Sequence, residues 1–158
     1  SRFPNLIVCR TFSKAWGLAA LRVGYSLSSP DIADILNRVR QPFNVDSVAL
    51  AAATAVLADE AYLERSREVN AAGLKQLAEG FDRMGLKYIP SAGNFIAVEV
   101  GDQAAAVYQT LLQHGVIVRP VAGYGMPRHL RVSVGLPHQN DRFLDALAEA
   151  LTAGGEGG

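Results

Sequence analysis

Only one cysteine, Cys9, occurs in 158 residues, so no intramolecular disulfide can form and a reducing, cytoplasmic setting is expected. Lying in an apolar run, Cys9 reads most simply as a small buried hydrophobe. No apolar run approaches the ~20 residues that span a bilayer, and no signal peptide is visible, so no membrane partner is expected. Net charge is also lacking, since 15 acidic side chains balance 15 basic ones. No field therefore draws the chain to nucleic acid or anionic lipid. His114, His129 and His138 lack metal-ligand spacing and cysteine partners, which leaves no expected metal site. Neither a Walker sequence nor G-x-G-x-x-G occurs, and no internal repeat is seen. What remains is a chain of about one domain's length by the usual prior of roughly 100–200 residues, with ample apolar content for a core.

The most informative segment is Thr11-Phe12-Ser13-Lys14-Ala15-Trp16-Gly17-Leu18-Ala19-Ala20-Leu21-Arg22. It follows the strand-like run Leu6-Ile7-Val8-Cys9. Hydroxyl residues stand one and three positions before Lys14, and Arg22 follows eight positions after it. Such a set suits an aldehyde cofactor that carries a phosphate. A Schiff base needs a positioned amine able to lose its proton. The phosphate needs hydroxyl donors and a guanidinium fork, which Ser13, Thr11 and Arg22 supply. A lone Ser-Lys pair carries no such meaning, because most lysines are solvated surface charges.

At these residues the chain resembles the fold-type I pyridoxal-phosphate enzymes, and within them the class I/II aminotransferases. Lys14 and Arg22 match that family's S/T-x-S-K segment and the arginine that grips the cofactor phosphate. Three further segments, Ser91-Ala92-Gly93-Asn94-Phe95, Gly115-Val116-Ile117-Val118-Arg119-Pro120 and Leu130-Arg131-Val132-Ser133-Val134-Gly135, resemble the histidinol-phosphate aminotransferase branch. The resemblance runs over nearly the whole chain. It implies pyridoxal 5'-phosphate as cofactor, Lys14 as the catalytic residue, and amino transfer between histidinol phosphate and 2-oxoglutarate, with glutamate as the other product. It implies a homodimer as well. Other readings on the same scaffold are an aromatic amino-acid aminotransferase and a phosphothreonine-type decarboxylase. A pyridoxal-phosphate-sensing domain of a transcription regulator is the alternative outside catalysis.

The start at Ser1-Arg2, with Lys14 so near it, leads to the expectation of a carboxyl-terminal portion of such an enzyme, inactive alone. The family's partner for the pyridine nitrogen and its ring-stacking aromatic would lie upstream. The fold expected is α/β. Residues 1–57 would end the cofactor-binding large domain, 58–84 form a long connecting helix, 85–153 a small α/β sandwich, and 154–158 a disordered tail.

Local signals agree with that order. A buried strand is expected over Leu6–Arg10 and a second over Val23–Leu27. Ser29-Pro30-Asp31 starts a helix with Ser29 as cap, and Pro42 lies beyond its end. Asp46 caps an alanine-rich helix through Leu57. From Ala61 to Met84 the stripe Tyr62, Val69, Gly73, Leu77, Phe81, Met84 repeats at helical spacing, and Gly73 within it points to close packing. Strands are expected at Tyr88-Ile89, Phe95–Val100, Val116–Arg119 and Leu130–Val134. Helices are expected over Gln103–His114, capped by Asp102, and over Asn140–Leu151.

Strand alternation puts Arg131 and Ser133 on the face opposite Leu130, Val132 and Val134. An arginine on an otherwise apolar strand needs an acidic partner or an anionic ligand. The resemblance assigns Arg131 to a substrate carboxylate or phosphate, and Arg119 to substrate phosphate or glutamate's distal carboxylate. It puts Asn94 beside the site's mouth, although a turn residue bonding its own backbone explains Asn94 equally well. Tyr124, between Gly123 and Gly125, reads as a loop aromatic that only packs, with a place at the pocket edge as the alternative.

Overall fold

The computed structural model describes residues 2–153, and the expected tail at 154–158 lies outside them. The chain divides after Arg67 into two compact units. In the first, strand β1 (Val8–Thr11) pairs antiparallel with β2 (Gly24–Leu27), Val8 opposite Leu27 and Thr11 opposite Gly24. Helix α1 (Pro30–Val39) begins at Pro30, whose fixed φ and missing N–H suit a first helical position. Ser29 occupies the cap position without a side-chain hydrogen bond. Helix α2 (Ser47–Leu57) is capped as expected, with Asp46 Oδ1 accepting from the Ala49 N–H at 2.8 Å.

The core of this unit is small: Phe12, Val23, Ala49 and Ala53, flanked by Trp16, Leu18, Leu21, Val45 and Val56. The expected burial of the first strand fails. Leu6 and Ile7 are exposed, and so is Cys9, which stands opposite Ser26. A two-stranded ribbon has a covered face only where another layer packs on it, and among the described residues only Phe12 and Val23 reach that core.

Helix α3 (Glu60–Arg83) contains the boundary between the units. Beyond it lies a four-stranded antiparallel sheet in the order β3-β4-β6-β5, made from Tyr88–Ile89 (β3), Phe95–Glu99 (β4), Arg119–Pro120 (β5) and His129–Ser133 (β6). Leu77 and Phe81 of α3, Val107 and Leu111 of α4 (Ala104–Gln113), and Phe143, Leu144 and Leu147 of α5 (Pro137–Ala153) cover one sheet face. They pack on Ile96, Val98, Leu130 and Val132, the alternate residues of β4 and β6. The α3 stripe is therefore buried in its carboxyl half, from Gly73 to Met84, whereas Tyr62 and Val69 remain partly exposed.

Most boundaries shift by a residue or two, and three places differ in kind. The run Val116–Arg119 pairs only from Arg119 onward: Val116 N–H still donates to Leu111 O at 2.8 Å, and Gly115 has φ 70°, so these residues complete the exit from α4. Asp102 does not cap α4; it binds Arg128 at 3.1 Å, and Gln103 occupies the cap position. Helix α5 starts at Pro137, earlier than Asn140. Asn140 is instead buried, accepting from Gly135 N–H and donating to Gln76 Oε1 and Gly135 O.

Candidate active site

Lys14 sits in the loop between β1 and the short 3-10 turn Ala19–Leu21. Phe12 anchors that loop, because its ring is 3% exposed and packs 5.2 Å from Trp16 and 5.6 Å from Tyr25. Its backbone is tied at both ends, with Phe12 N–H donating to Val23 O and Leu18 N–H donating to Phe12 O. Gly17 N–H donates to Lys14 O at 2.9 Å and closes the turn. Gly17 has φ 70°, and a Cβ there would lie 2.7 Å from Tyr62 Oη, so both backbone and space call for glycine.

The expected cofactor residues converge around this turn. Thr11 Oγ1 accepts from Ser13 N–H at 3.1 Å. Arg22 Nη1 donates to Ala19 O at 2.7 Å and approaches Ser13 Oγ at 3.5 Å. Among the described residues, Arg22 is also one of two non-glycine residues with positive φ, at 51°. Such a conformation costs of order 1 kcal/mol and persists where neighbouring structure holds it, often at functional sites. Lys14 and Arg22 are exposed, and among the described residues neither forms an ion pair. An amine, two hydroxyls and a guanidinium gathered without a neutralising carboxylate fit a phosphate-bearing aldehyde.

The other expected residues lie in the second unit. Arg119 and Arg131 stand directly opposite each other across β5 and β6. Opposed like charges disfavour a strand pair unless an anion lies between them. No carboxylate among the described residues pairs with either arginine. Arg131 is half-buried; its guanidinium carbon lies 4.9 Å from the centre of the Phe95 ring, and its buried Nε has no hydrogen-bond partner. A buried donor without a protein partner is expensive, and an anion could offset that cost. Asn94 is exposed at the start of β4, with its carbonyl accepting from Val134 N–H at 3.0 Å. Lys14, Thr11, Ser13 and Arg22 thus form one group and Arg119 with Arg131 another, in different compact units.

Two aromatic partners escaped the sequence. Phe95 stands opposite Ser133 and reaches Arg131 diagonally, a relation visible only once the register is known. Tyr124, read as packing, is 66% exposed and accepts from Arg119 Nη2 at 3.4 Å.

Known proteins resemble the chain throughout. Histidinol-phosphate aminotransferase 2 of Pseudomonas fluorescens (strain Pf0-1) is 64% identical over 152 residues, which are 96% of this chain and 41% of that protein. The protein of the same name from Pseudomonas aeruginosa is 65% identical over 151 residues, again 96% and 41%. The chain therefore spans about two fifths of the length of these curated relatives. Among solved structures, histidinol-phosphate aminotransferase from Sinorhizobium meliloti in complex with pyridoxal-5'-phosphate superposes with TM-score 0.84 at 36% identity, covering 95% of this chain and 42% of that one. The structure of histidinol-phosphate aminotransferase from Clostridium acetobutylicum, at 21% identity, shares the fold with TM-score 0.89 over 96% of this chain and 47% of its own. The α/β architecture is that of these enzymes. The family model for aminotransferase class I and II matches residues 1–147, reaching from before Lys14 into α5, and the chain belongs to that family.

Proposed function

We propose that the complete protein carrying these residues is a pyridoxal-phosphate-dependent histidinol-phosphate aminotransferase of histidine biosynthesis, with 2-oxoglutarate as amino acceptor. The observation that supports this most is the cluster of Lys14, Ser13, Thr11 and Arg22 on one pinned loop, where among the described residues no carboxylate pairs with Lys14 or Arg22. Identity of 64% to a protein bearing that name supports the substrate. Residues 1–57 would then close the cofactor-binding large domain, 58–84 connect, and 85–153 form the small domain. A homodimer in the cytoplasm completes the reading. Among the described residues no helix is long and apolar enough to cross a membrane.

Arg22, Ser13 and Thr11 would hold the cofactor's phosphate through charge-assisted and hydroxyl hydrogen bonds, and Lys14 would supply the amine for its aldehyde. Pyridoxal phosphate, when bound, supplies the electron sink that stabilises charge at the substrate α-carbon. With the cofactor in place, Lys14 Nζ would serve as the proton carrier at the substrate α-carbon, general base in one direction and general acid in the other. Arg131 and Arg119 bind the substrate's anionic groups, phosphate in one half-reaction and the carboxylates of glutamate and 2-oxoglutarate in the other. Asn94 lines the mouth of the site.

Substrate profiling of the complete enzyme tests this reading. Histidinol phosphate should be the preferred donor, ahead of tyrosine, phenylalanine and threonine phosphate. Preference for an aromatic amino acid, or release of carbon dioxide from threonine phosphate, would refute it.

A further inference from the structure

The two opposed arginines are each backed by an aromatic ring, and the two rings come from different elements. Phe95 in β4 lies against Arg131, 4.9 Å from guanidinium carbon to ring centre. Tyr124 belongs to the 3-10 turn Ala122–Tyr124 that follows β5, and its ring centre lies 6.0 Å from the guanidinium carbon of Arg119. Val121, 3% exposed, anchors this turn, and Gly125, with φ 75°, ends it. The Tyr124 ring itself projects into solvent, 66% exposed, and its hydroxyl accepts from Arg119 Nη2 at 3.4 Å.

An exposed tyrosine in a Gly-Tyr-Gly turn has no packing reason to be aromatic. Among the described residues its hydroxyl bonds to an arginine that faces a second arginine. A flexible arginine opposed by a like charge would swing away into water; a hydroxyl acceptor and a ring face restrain it. The hydroxyl that accepts from Arg119 keeps its own hydrogen, which it can donate to an anion.

We propose that Tyr124 is the positioning residue for Arg119 and adds a hydroxyl donor to the anion bound there. The arginine pair then reads an anionic substrate group as one braced unit. This rests on the reading of Arg119 and Arg131 as anion-binding residues. The ligand class is a tetrahedral or planar oxyanion, phosphate or carboxylate. Arg131 supplies the half-buried, fixed half of the site, and Arg119 with Tyr124 supplies the exposed, adjustable half. That division suits a site that must accept a phosphate and a carboxylate in turn.

The test is calorimetric titration of inorganic phosphate into the complete enzyme saturated with pyridoxal phosphate, using wild type, Tyr124→Phe, Tyr124→Ala, Arg119→Ala and the Tyr124→Ala/Arg119→Ala double variant. Tyr124→Ala should weaken phosphate binding at least about tenfold at unchanged thermal midpoint, and the loss in the double variant should fall well short of the product of the two single losses. Tyr124→Phe, which keeps the ring, should fall between wild type and Tyr124→Ala. The proposal is overturned if Tyr124→Ala binds like wild type, if the two single effects multiply in the double variant, or if wild type shows no saturable binding up to about 10 mM. The titration needs no turnover. It therefore decides the role of Tyr124 even if reductive labelling marks a lysine other than Lys14, the result that would sink the proposed chemistry.

Discussion

Replacing Gly73 by alanine puts a methyl group where α3 meets the end of β6 and the start of α5. The added Cβ would overlap Val134 Cγ1 and lie 3.0 Å from Asn140 Nδ2 and 3.3 Å from Gly135 O. Val134 is β-branched and stiff at χ1, so it yields only if the backbone moves. Asn140 is 2% exposed, and its amide group donates to Gln76 Oε1 at 3.0 Å and to Gly135 O at 3.2 Å. Alanine gains about 1 kcal/mol of helix propensity over glycine. Overpacking costs about 1–3 kcal/mol, and displacing the Asn140 amide from its buried partners costs a further 1–3 kcal/mol or so. The net expectation is a loss of about 1–5 kcal/mol, read as a lower urea midpoint by far-ultraviolet circular dichroism. Ala72→Gly, exposed on the same helix, isolates the propensity effect and should lose about 1 kcal/mol. If Gly73→Ala matches or exceeds wild type in stability, the close approach of α3 to Val134 and Asn140 is wrong.

Arg22→Gly removes both a strained backbone and a guanidinium. Unfolding free energy should change by no more than about 1 kcal/mol, because relief at φ 51° offsets the lost bond to Ala19 O. Fluorescence titration should meanwhile show at least about tenfold weaker pyridoxal phosphate binding, the expected loss of a charge-assisted contact; unchanged affinity would remove Arg22 from the site. Burial, then the neighbouring Asp82 carboxylate at 3.5 Å, raise the Tyr88 phenol above its ordinary value of 10.0. The folded chain holds this proton where the unfolded chain has lost it, so the contribution is intact below the ordinary value and is lost as pH rises through the folded one. Urea unfolding at alkaline pH should therefore show a shallower stability decline for Tyr88→Phe than for wild type; equal slopes would contradict the assignment.

Much of this architecture was legible because local chemistry and tertiary packing agree. Pro30 starts α1, Asp46 caps α2, and the stripe from Gly73 to Phe81 finds a partner surface. The Lys14–Arg22 spacing was equally readable, since the whole group lies on one short loop. Features set by distant partners were not. Asp102 stands one residue before the cap position of α4 and pairs instead with Arg128, a residue 26 positions away. The apolar run at Val116 carries strand-like residues but completes a helix exit, because Gly115 adopts a left-handed turn. Cys9 looks interior by composition and is exposed among the described residues, where its ribbon has two strands. The aromatic braces on Arg119 and Arg131 depend on strand register and turn placement, which no periodicity encodes.

Of the three lysines, Lys14, Lys75 and Lys87, only the first lies among hydroxyl residues and an arginine. Borohydride reduction of the complete enzyme loaded with pyridoxal phosphate, followed by peptide mapping, asks which amine carries the cofactor. A single phosphopyridoxyl label on Lys14 is the predicted result. Label on Lys75 or Lys87, or on no lysine of this chain, would contradict the account at its root.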